Sequence, residues 1–178
     1  MKVLIAVASK HGSTREIAEA IARELEGAGH RVEVRTPNRI DDVTAYGAAI
    51  VGSAVYLGNW LPEARGFVES HREGLLAIPV WLFSSGPIVL RNGEIGSDAP
   101  TAEDNPAHLD ALLDATGARD HRVFVGKLDR HELNVLERLA VRAAKAPDGD
   151  FRDWDAIRGW AREIAAALPA PVEPVAAG

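Results

Sequence analysis

The sequence predicts a single doubly wound α/β domain on five parallel strands, from three observations. A continuous apolar run opens the chain, apolar segments then alternate with amphipathic helical ones, and glycines and prolines punctuate most junctions. The length of 178 residues suits one domain, burying roughly 70% of its unfolded surface without a covalent staple.

Val3-Leu4-Ile5-Ala6-Val7-Ala8 has no polar face, the pattern of a strand covered on both sides, and reads as a central strand. Ile17, Ile21 and Leu25 then recur every four residues among charged neighbours, which gives an amphipathic helix. Ser13 with Glu16 three positions on predicts a capping box at its start, and Gly27 and Gly29 predict its end. Arg31-Val32-Glu33-Val34-Arg35 alternates with period two and is stopped by Pro37, so it reads as a strand near the sheet edge. Ala48 to Ser53 is a third strand. Pro62 opens a helix with Ala64, Phe67 and Val68 inward, closed by Gly74. Pro79 to Ser84 is the fourth strand, and Asn105-Pro106 marks the start of a helix with Leu109, Leu112 and Leu113 inward and Gly117 at its end. His121 to Val125 is the fifth strand. Two helices follow, at about Glu132 to Lys145 and from an Asp153 cap through Trp154, Ile157, Ala161, Ile164 and Leu168. Residues 1–168 form the domain and 169–178 a flexible Ala- and Pro-rich tail.

Composition narrows the chemistry. Cysteine is absent, which excludes a disulfide framework, thiolate catalysis, iron–sulfur clusters, covalent haem and Cys-based zinc, so redox activity requires a bound cofactor. Twenty basic against 26 acidic residues give a net charge of −6, without the coherent basic surface that nucleic acid requires. No apolar run reaches the roughly 18 to 20 residues of a membrane span, and the opening run is too short for a signal peptide, so a cytoplasmic location is the expectation.

Ligands of open parallel sheets bind beyond the carboxyl ends of the strands. Three segments fall there: Ser9-Lys10-His11-Gly12-Ser13-Thr14, Ser53-Ala54-Val55-Tyr56-Leu57-Gly58-Asn59-Trp60, and Ser84-Ser85-Gly86-Pro87-Ile88. The first combines hydroxyls, a glycine that lets N–H groups converge, a lysine and the positive end of a helix, which together suit a phosphate monoester. The same residues would also serve as an ordinary cap and turn. Neither Gly-x-x-x-x-Gly-Lys-Ser/Thr nor Gly-x-Gly-x-x-Gly follows the first strand, and the acidic cluster of a phosphoacceptor receiver is missing at Ser9, Lys10 and Ser53. The six histidines show no metal spacing, and no metal site is expected.

At Ser9-x-x-Gly12-x-Thr14-x-x-x-Ala18 the chain resembles the flavodoxin family, with Val7 where an aromatic residue is favoured just before the motif. Ala8 to Ala18, the Gly52-Ser53-Ala54-Val55-Tyr56 turn and the closing Gly149-Asp150-Phe151-Arg152-Asp153-Trp154 look closer still to the flavodoxin-domain group of menaquinone-dependent protoporphyrinogen IX dehydrogenases. The resemblance implies strand order 2-1-3-4-5 with helices on both faces, FMN as cofactor, its phosphate on Ser9, Lys10, Gly12, Ser13 and Thr14, and its ring between the other two segments. Tyr56 and Trp60, the aromatics of the three segments, would flank the ring, with Ser53, Ser84, Ser85 and Gly86 along its edges. Trp60 would equally suit burial against the next helix. Gly58 would allow the peptide rotation toward the reduced ring that the family implies. The Ser84–Ile88 segment lacks a second stacking aromatic, leaving one ring face open, and the modest charge favours an enzyme over a general shuttle that docks basic partners. The expected partners are a redox donor and acceptor, whether reductase, quinone or small substrate; a homodimer stays open. A flavin-free interaction module of the same fold is the alternative. Two weaker features are a polar stretch from Gly93 to Asn105 that would act as a lid, and a basic stripe of Arg138, Arg142 and Lys145 that suits an acidic partner or a solvated face.

Overall fold

A computed structural model describes residues 1–86, 104–129 and 149–170, with the backbone of two short strands at 90–91 and 94–95. Pro87, most of the Gly93–Asn105 stretch, the helix expected over 132–145 with its basic stripe, and the last eight tail residues lie outside the described residues.

The elements in order are β1 (Lys2–Ala8), α1 (Ser13–Gly27), β2 (Arg31–Arg35), a 3₁₀ turn (Pro37–Arg39), β3 (Ala48–Tyr56), β4 (Asn59–Trp60), α2 (Pro62–Ser70), α3 (Arg72–Leu76), β5 (Val80–Ser85), β6 (Leu90–Arg91), β7 (Glu94–Ile95), α4 (Leu109–Thr116), β8 (His121–Phe124), β9 (Lys127–Leu128), β10 (Gly149–Asp150) and α5 (Trp154–Ala167). The parallel strands lie in the order β2-β1-β3-β5-β8. Once the short hairpin strands are set aside, that is the expected 2-1-3-4-5 arrangement.

Alternation along each strand divides the core in two. Val3, Ile5, Val7, Ile50, Trp81 and Phe83 face Ile17, Ile21 and Leu25 of α1 and Ile157, Ala161 and Ile164 of α5. Leu4, Ala6, Val51, Val80 and Leu82 face Phe67 and Val68 of α2, Leu75 of α3 and Leu112 of α4. Each such large apolar side chain contributes roughly 1.5–3 kcal/mol by leaving water, so no one-residue slip of register is tolerated. Gly52 is required by packing, because a Cβ there would lie 2.1 Å from the Phe83 ring. The space it leaves lets Phe83 meet Phe124 and Trp160, with all three ring centroids 5.7–6.2 Å apart.

Local expectations fare unevenly. Asp153 caps α5 as expected, accepting from the N–H groups of Asp155 and Ala156 at 3.0 and 2.9 Å. Gly117 closes α4 in the left-handed conformation, φ 60°. Ser13 does not cap α1: Gly12 holds that place at φ 83°, and among the described residues no side chain caps the N–H groups of the helix start. Gly74 lies inside α3, where it makes room for Val43, rather than ending the preceding helix. Helix α4 begins at Leu109 after His108 and not at Asn105-Pro106, which forms the turn before it. β3 runs three residues beyond Ser53, so part of the second expected loop is strand.

Candidate functional site

The register aligns Ala8, Ser53 and Ser84 side by side across β1, β3 and β5, so the three expected segments leave one edge of the sheet together. After Ala8 the chain turns through Gly12 into α1. The φ of 83° suits glycine, whereas a side chain would strain the backbone although nothing lies within 4 Å of a Cβ there. The first bond of the helix runs from the Glu16 N–H to the Gly12 carbonyl at 3.0 Å. With no side-chain cap, the N–H groups of Ser13, Thr14 and Arg15 project from a helix end of positive potential. Thr14 is buried, and Ser9 and Ser13 are half-buried.

What holds this turn comes from the far end of the chain. The Ser13 hydroxyl accepts the Lys127 N–H at 3.3 Å, and the Ser13 carbonyl accepts from Arg152 Nη1 at 3.1 Å. Glu16, expected to close a capping box, instead pairs with Arg152 at 2.8 Å.

The second segment is a hairpin, with Val55 opposite Trp60 and Tyr56 opposite Asn59. Its two-residue turn, Leu57 at φ 49° and Gly58 at φ 76°, has both residues left-handed, as a tight hairpin following the strand twist requires. Leu57 is fully exposed. The turn is held by its carbonyls: Asn59 Nδ2 donates to Leu57 at 3.0 Å, and the Ala107 N–H donates to Gly58 at 2.6 Å. Tyr56 is half-buried at the hairpin's base, with Lys10 Nζ 5.1 Å from its ring centre and the His11 ring at 6.4 Å. The first two segments therefore meet at Tyr56.

Trp60, expected beside the ligand ring, is 1% exposed in the core, and its indole Nε1–H donates to Ser84 Oγ at 2.8 Å. Residue alternation from Tyr56 through a two-residue turn sends it onto the α2 face, where it packs with Ala64 and Phe67. Ser53 and Ser84 are likewise fully buried, and their hydroxyls face the scaffold rather than a ligand edge. Ser53 Oγ donates to the Ala54 carbonyl at 2.8 Å and accepts the Leu61 N–H at 3.0 Å. Ser84 Oγ also meets His121 Nε2 at 2.8 Å. Burial drives the His121 pKa down to about 4, against the opposing pull of Asp120, so the imidazole is neutral at pH 7. The hydroxyl thus accepts from Trp60 and shares a second hydrogen bond with the neutral imidazole.

In the third segment Gly86 takes φ 86°, and its N–H donates to the Phe124 carbonyl at 3.0 Å. A Cβ on Gly126 would sit 3.4 Å from the Gly86 backbone, so two glycines let β5 and β8 continue in close contact at the site edge. Lys127, His121, Gly126 and the grip of Arg152 on Ser13 escaped the sequence reading. Only the Gly149–Trp154 motif pointed toward any of them, without saying what it touches.

The donors present suit an anion better than a metal. Among the described residues no three His, Asp or Glu side chains gather as ligands, whereas an uncapped helix start behind a left-handed glycine, with buried Thr14 beside it, fits a phosphate monoester. Tyr56 supplies apolar ring surface nearby, and the Ser85–Gly86 turn supplies backbone. Among the described residues no helix is long and apolar enough to cross a membrane.

Comparison with known proteins points the same way. The sequence profile of the flavodoxin domain matches residues 4–155. The chain is 25% identical over 177 residues to a protoporphyrinogen IX dehydrogenase [quinone] of Escherichia coli K12, covering 93% of this chain and 95% of that one. It is 26% identical over 181 residues to a flavodoxin of Nitratidesulfovibrio vulgaris Miyazaki F, covering 93% and 98%. In fold it is similar to oxidised flavodoxin 1 of Bacillus cereus, with a TM-score of 0.60 at 13% identity over 95% of this chain and 100% of that one. With its strand order, its uncapped Gly12 turn and a family match over most of its length, the chain belongs to the flavodoxin domain family and is an FMN-binding, flavodoxin-like electron-transfer protein.

Proposed function

We propose that the protein is a two-electron oxidoreductase, a quinone-linked dehydrogenase of the protoporphyrinogen type, rather than a general electron shuttle. One observation carries the reading. Among the described residues of the three segments, Tyr56 is the aromatic with accessible ring surface, since Trp60 is enclosed in the core. One face of a bound ring is thereby left without an aromatic cover, open to a substrate or quinone. The near end-to-end match to a quinone-dependent dehydrogenase supports the same choice.

FMN bound here would supply the two-electron redox chemistry that links substrate to quinone. The chain's own part is to bind and orient. The Ser13–Arg15 amides, with the hydroxyls of Ser9, Ser13 and Thr14 and the charge of Lys10, hold the phosphate. Tyr56 would cover one ring face, and the backbone from Ala54 to Asn59 and at Ser85 and Gly86 would border the ring edge. Lys10 Nζ and the His11 ring lie 5.1 and 6.4 Å from the Tyr56 ring centre, so the first segment borders the ring surface that Tyr56 would offer.

The test is anaerobic incubation of FMN-loaded protein with protoporphyrinogen and a menaquinone analogue, read by porphyrin fluorescence. Porphyrin should form only when flavin and quinone are both present. No porphyrin above the quinone-free rate, from protein that still relays single electrons between a reductase and a cytochrome, would assign it as a shuttle.

A further inference from the structure

We propose that Arg152 is the positioning residue of the phosphate cradle, acting through the Ser13 carbonyl and not through its charge. The inference rests on the reading that this turn holds the FMN phosphate.

Arg152 lies just before α5, its side chain only 3% exposed. Its fork is almost fully occupied. Nε donates to Asp150 Oδ1 at 2.7 Å and Nη2 to Asp150 Oδ2 at 2.6 Å, a two-pronged carboxylate pair. Nη1 serves both Glu16 Oε2 at 2.8 Å and the Ser13 carbonyl at 3.1 Å. The Trp154 ring, 4.4 Å from the guanidinium carbon, packs on its face. Four of five N–H donors are thus committed within the protein, and two carboxylates balance one positive charge. An arginine so placed is a poor counter-ion for phosphate.

Its effect on the cradle is geometric. The Ser13 carbonyl and the Thr14 N–H belong to one planar peptide and point in opposite directions. A guanidinium that fixes the oxygen therefore aims the N–H out of the helix start, toward the place where the anion sits. The Lys127 N–H, bonded to Ser13 Oγ at 3.3 Å, holds the same residue from its other side. Lys127 and Asp150 pair across the two-stranded ribbon β9–β10, so one small unit of the chain grips both sides of Ser13. A lysine at 152 keeps the charge but has no planar fork with which to hold Asp150, Glu16 and Ser13 together.

The test compares FMN with riboflavin, which lacks the phosphate, on flavin-stripped protein. Arg152→Met and Arg152→Lys should each weaken FMN by about tenfold, the scale of one charge-assisted hydrogen bond, while riboflavin affinity changes less than about twofold. Arg122→Met, which removes surface ion pairs to Asp120 and to Glu163 of α5 and touches no residue of the turn, should leave the FMN-to-riboflavin ratio unchanged. In flavin-free protein, hydrogen exchange at the Lys127 amide, which donates to Ser13 Oγ, should quicken in both Arg152 variants. Equal losses for FMN and riboflavin, full FMN affinity in Arg152→Lys, or unaltered exchange at this amide would each overturn the proposal. Wild-type protein that binds neither flavin would instead overturn the functional reading, with the exchange measurement still judging the grip on Ser13.

Discussion

The two ends of the site are built differently. At the proposed phosphate end, around Gly12 to Arg15, the groups left for a ligand are main-chain amides, and the side chains that could have capped them are engaged elsewhere: Ser13 with Lys127, and Glu16 with Arg152. At the ring end, around Ser53 to Trp60 and Ser84 to Gly86, the polar side chains with the best chemistry are consumed by the scaffold, and Tyr56 is left at the surface. One end is preorganised for a charge, while the other is a largely bare rim. The difference teaches that cofactor affinity should come chiefly from the phosphate, and that access at the ring is what the fold leaves free for a substrate.

The largest expected effect separates the two ends directly. Ser9→Ala combined with Thr14→Ala should weaken FMN by about two orders of magnitude, through the loss of two charge-assisted hydrogen bonds, and barely change riboflavin. Titration of flavin-stripped protein by fluorescence quenching checks this, and a similar loss for both flavins would erase the contrast between the ends.

Acid should next reveal the buried relay at the ring end. An unfolded histidine takes a proton near pH 6.5, but His121 in the fold stays neutral down to about pH 4. Stability is therefore full above pH 6.5 and falls as pH drops toward 4, by at most about 3 kcal/mol in urea melts; His121→Gln should flatten that window. The latch at the phosphate end responds lower. The hydrogen bond from Arg152 holds the Asp150 carboxyl below its usual range, so its contribution is present above about pH 4 and is lost only as pH falls further. Coincident acid transitions in the two regions would contradict this separation.

Trp60 and Tyr56 sharpen the comparison within the ring end. Trp60→Phe leaves Ser84 without its buried donor and should cost about 1–3 kcal/mol of stability, with flavin affinity within about twofold of wild type. Tyr56→Ala should weaken FMN and riboflavin alike, by roughly fivefold to tenfold, with little change in stability. The reverse pattern would return Trp60 to the ring. The smallest effect belongs to the turn: Leu57→Asn replaces a strained left-handed leucine with a residue that tolerates the conformation, and should gain about 0.5–1 kcal/mol, read as a rise in Tm.

The fold was legible because burial on both faces writes itself into sequence. Val3 to Ala8 and Ala48 to Val51 have no polar face, and α1 and α5 repeat their apolar residues at helical spacing. The turn through Gly12 was legible for a related reason, since the glycine and the hydroxyls around it are local in sequence. Caps and rims were harder to read. Ser13 followed by Glu16 satisfies a local pattern, but Lys127 and Arg152, more than a hundred residues away, compete for the same atoms and win. Trp60 looked equally suited to ligand or core. Only the path of the hairpin decided it, by turning the indole toward Ser84. Contacts that are made in three dimensions leave little periodic trace.

The most direct measurement is calorimetric titration of flavin-stripped wild-type protein with FMN and with riboflavin under the same conditions. FMN is expected to bind at least about a hundredfold more tightly, the phosphate supplying the difference through the amides of Ser13 to Arg15. Equal affinities, or no FMN binding at all, would contradict a cradle at the start of α1.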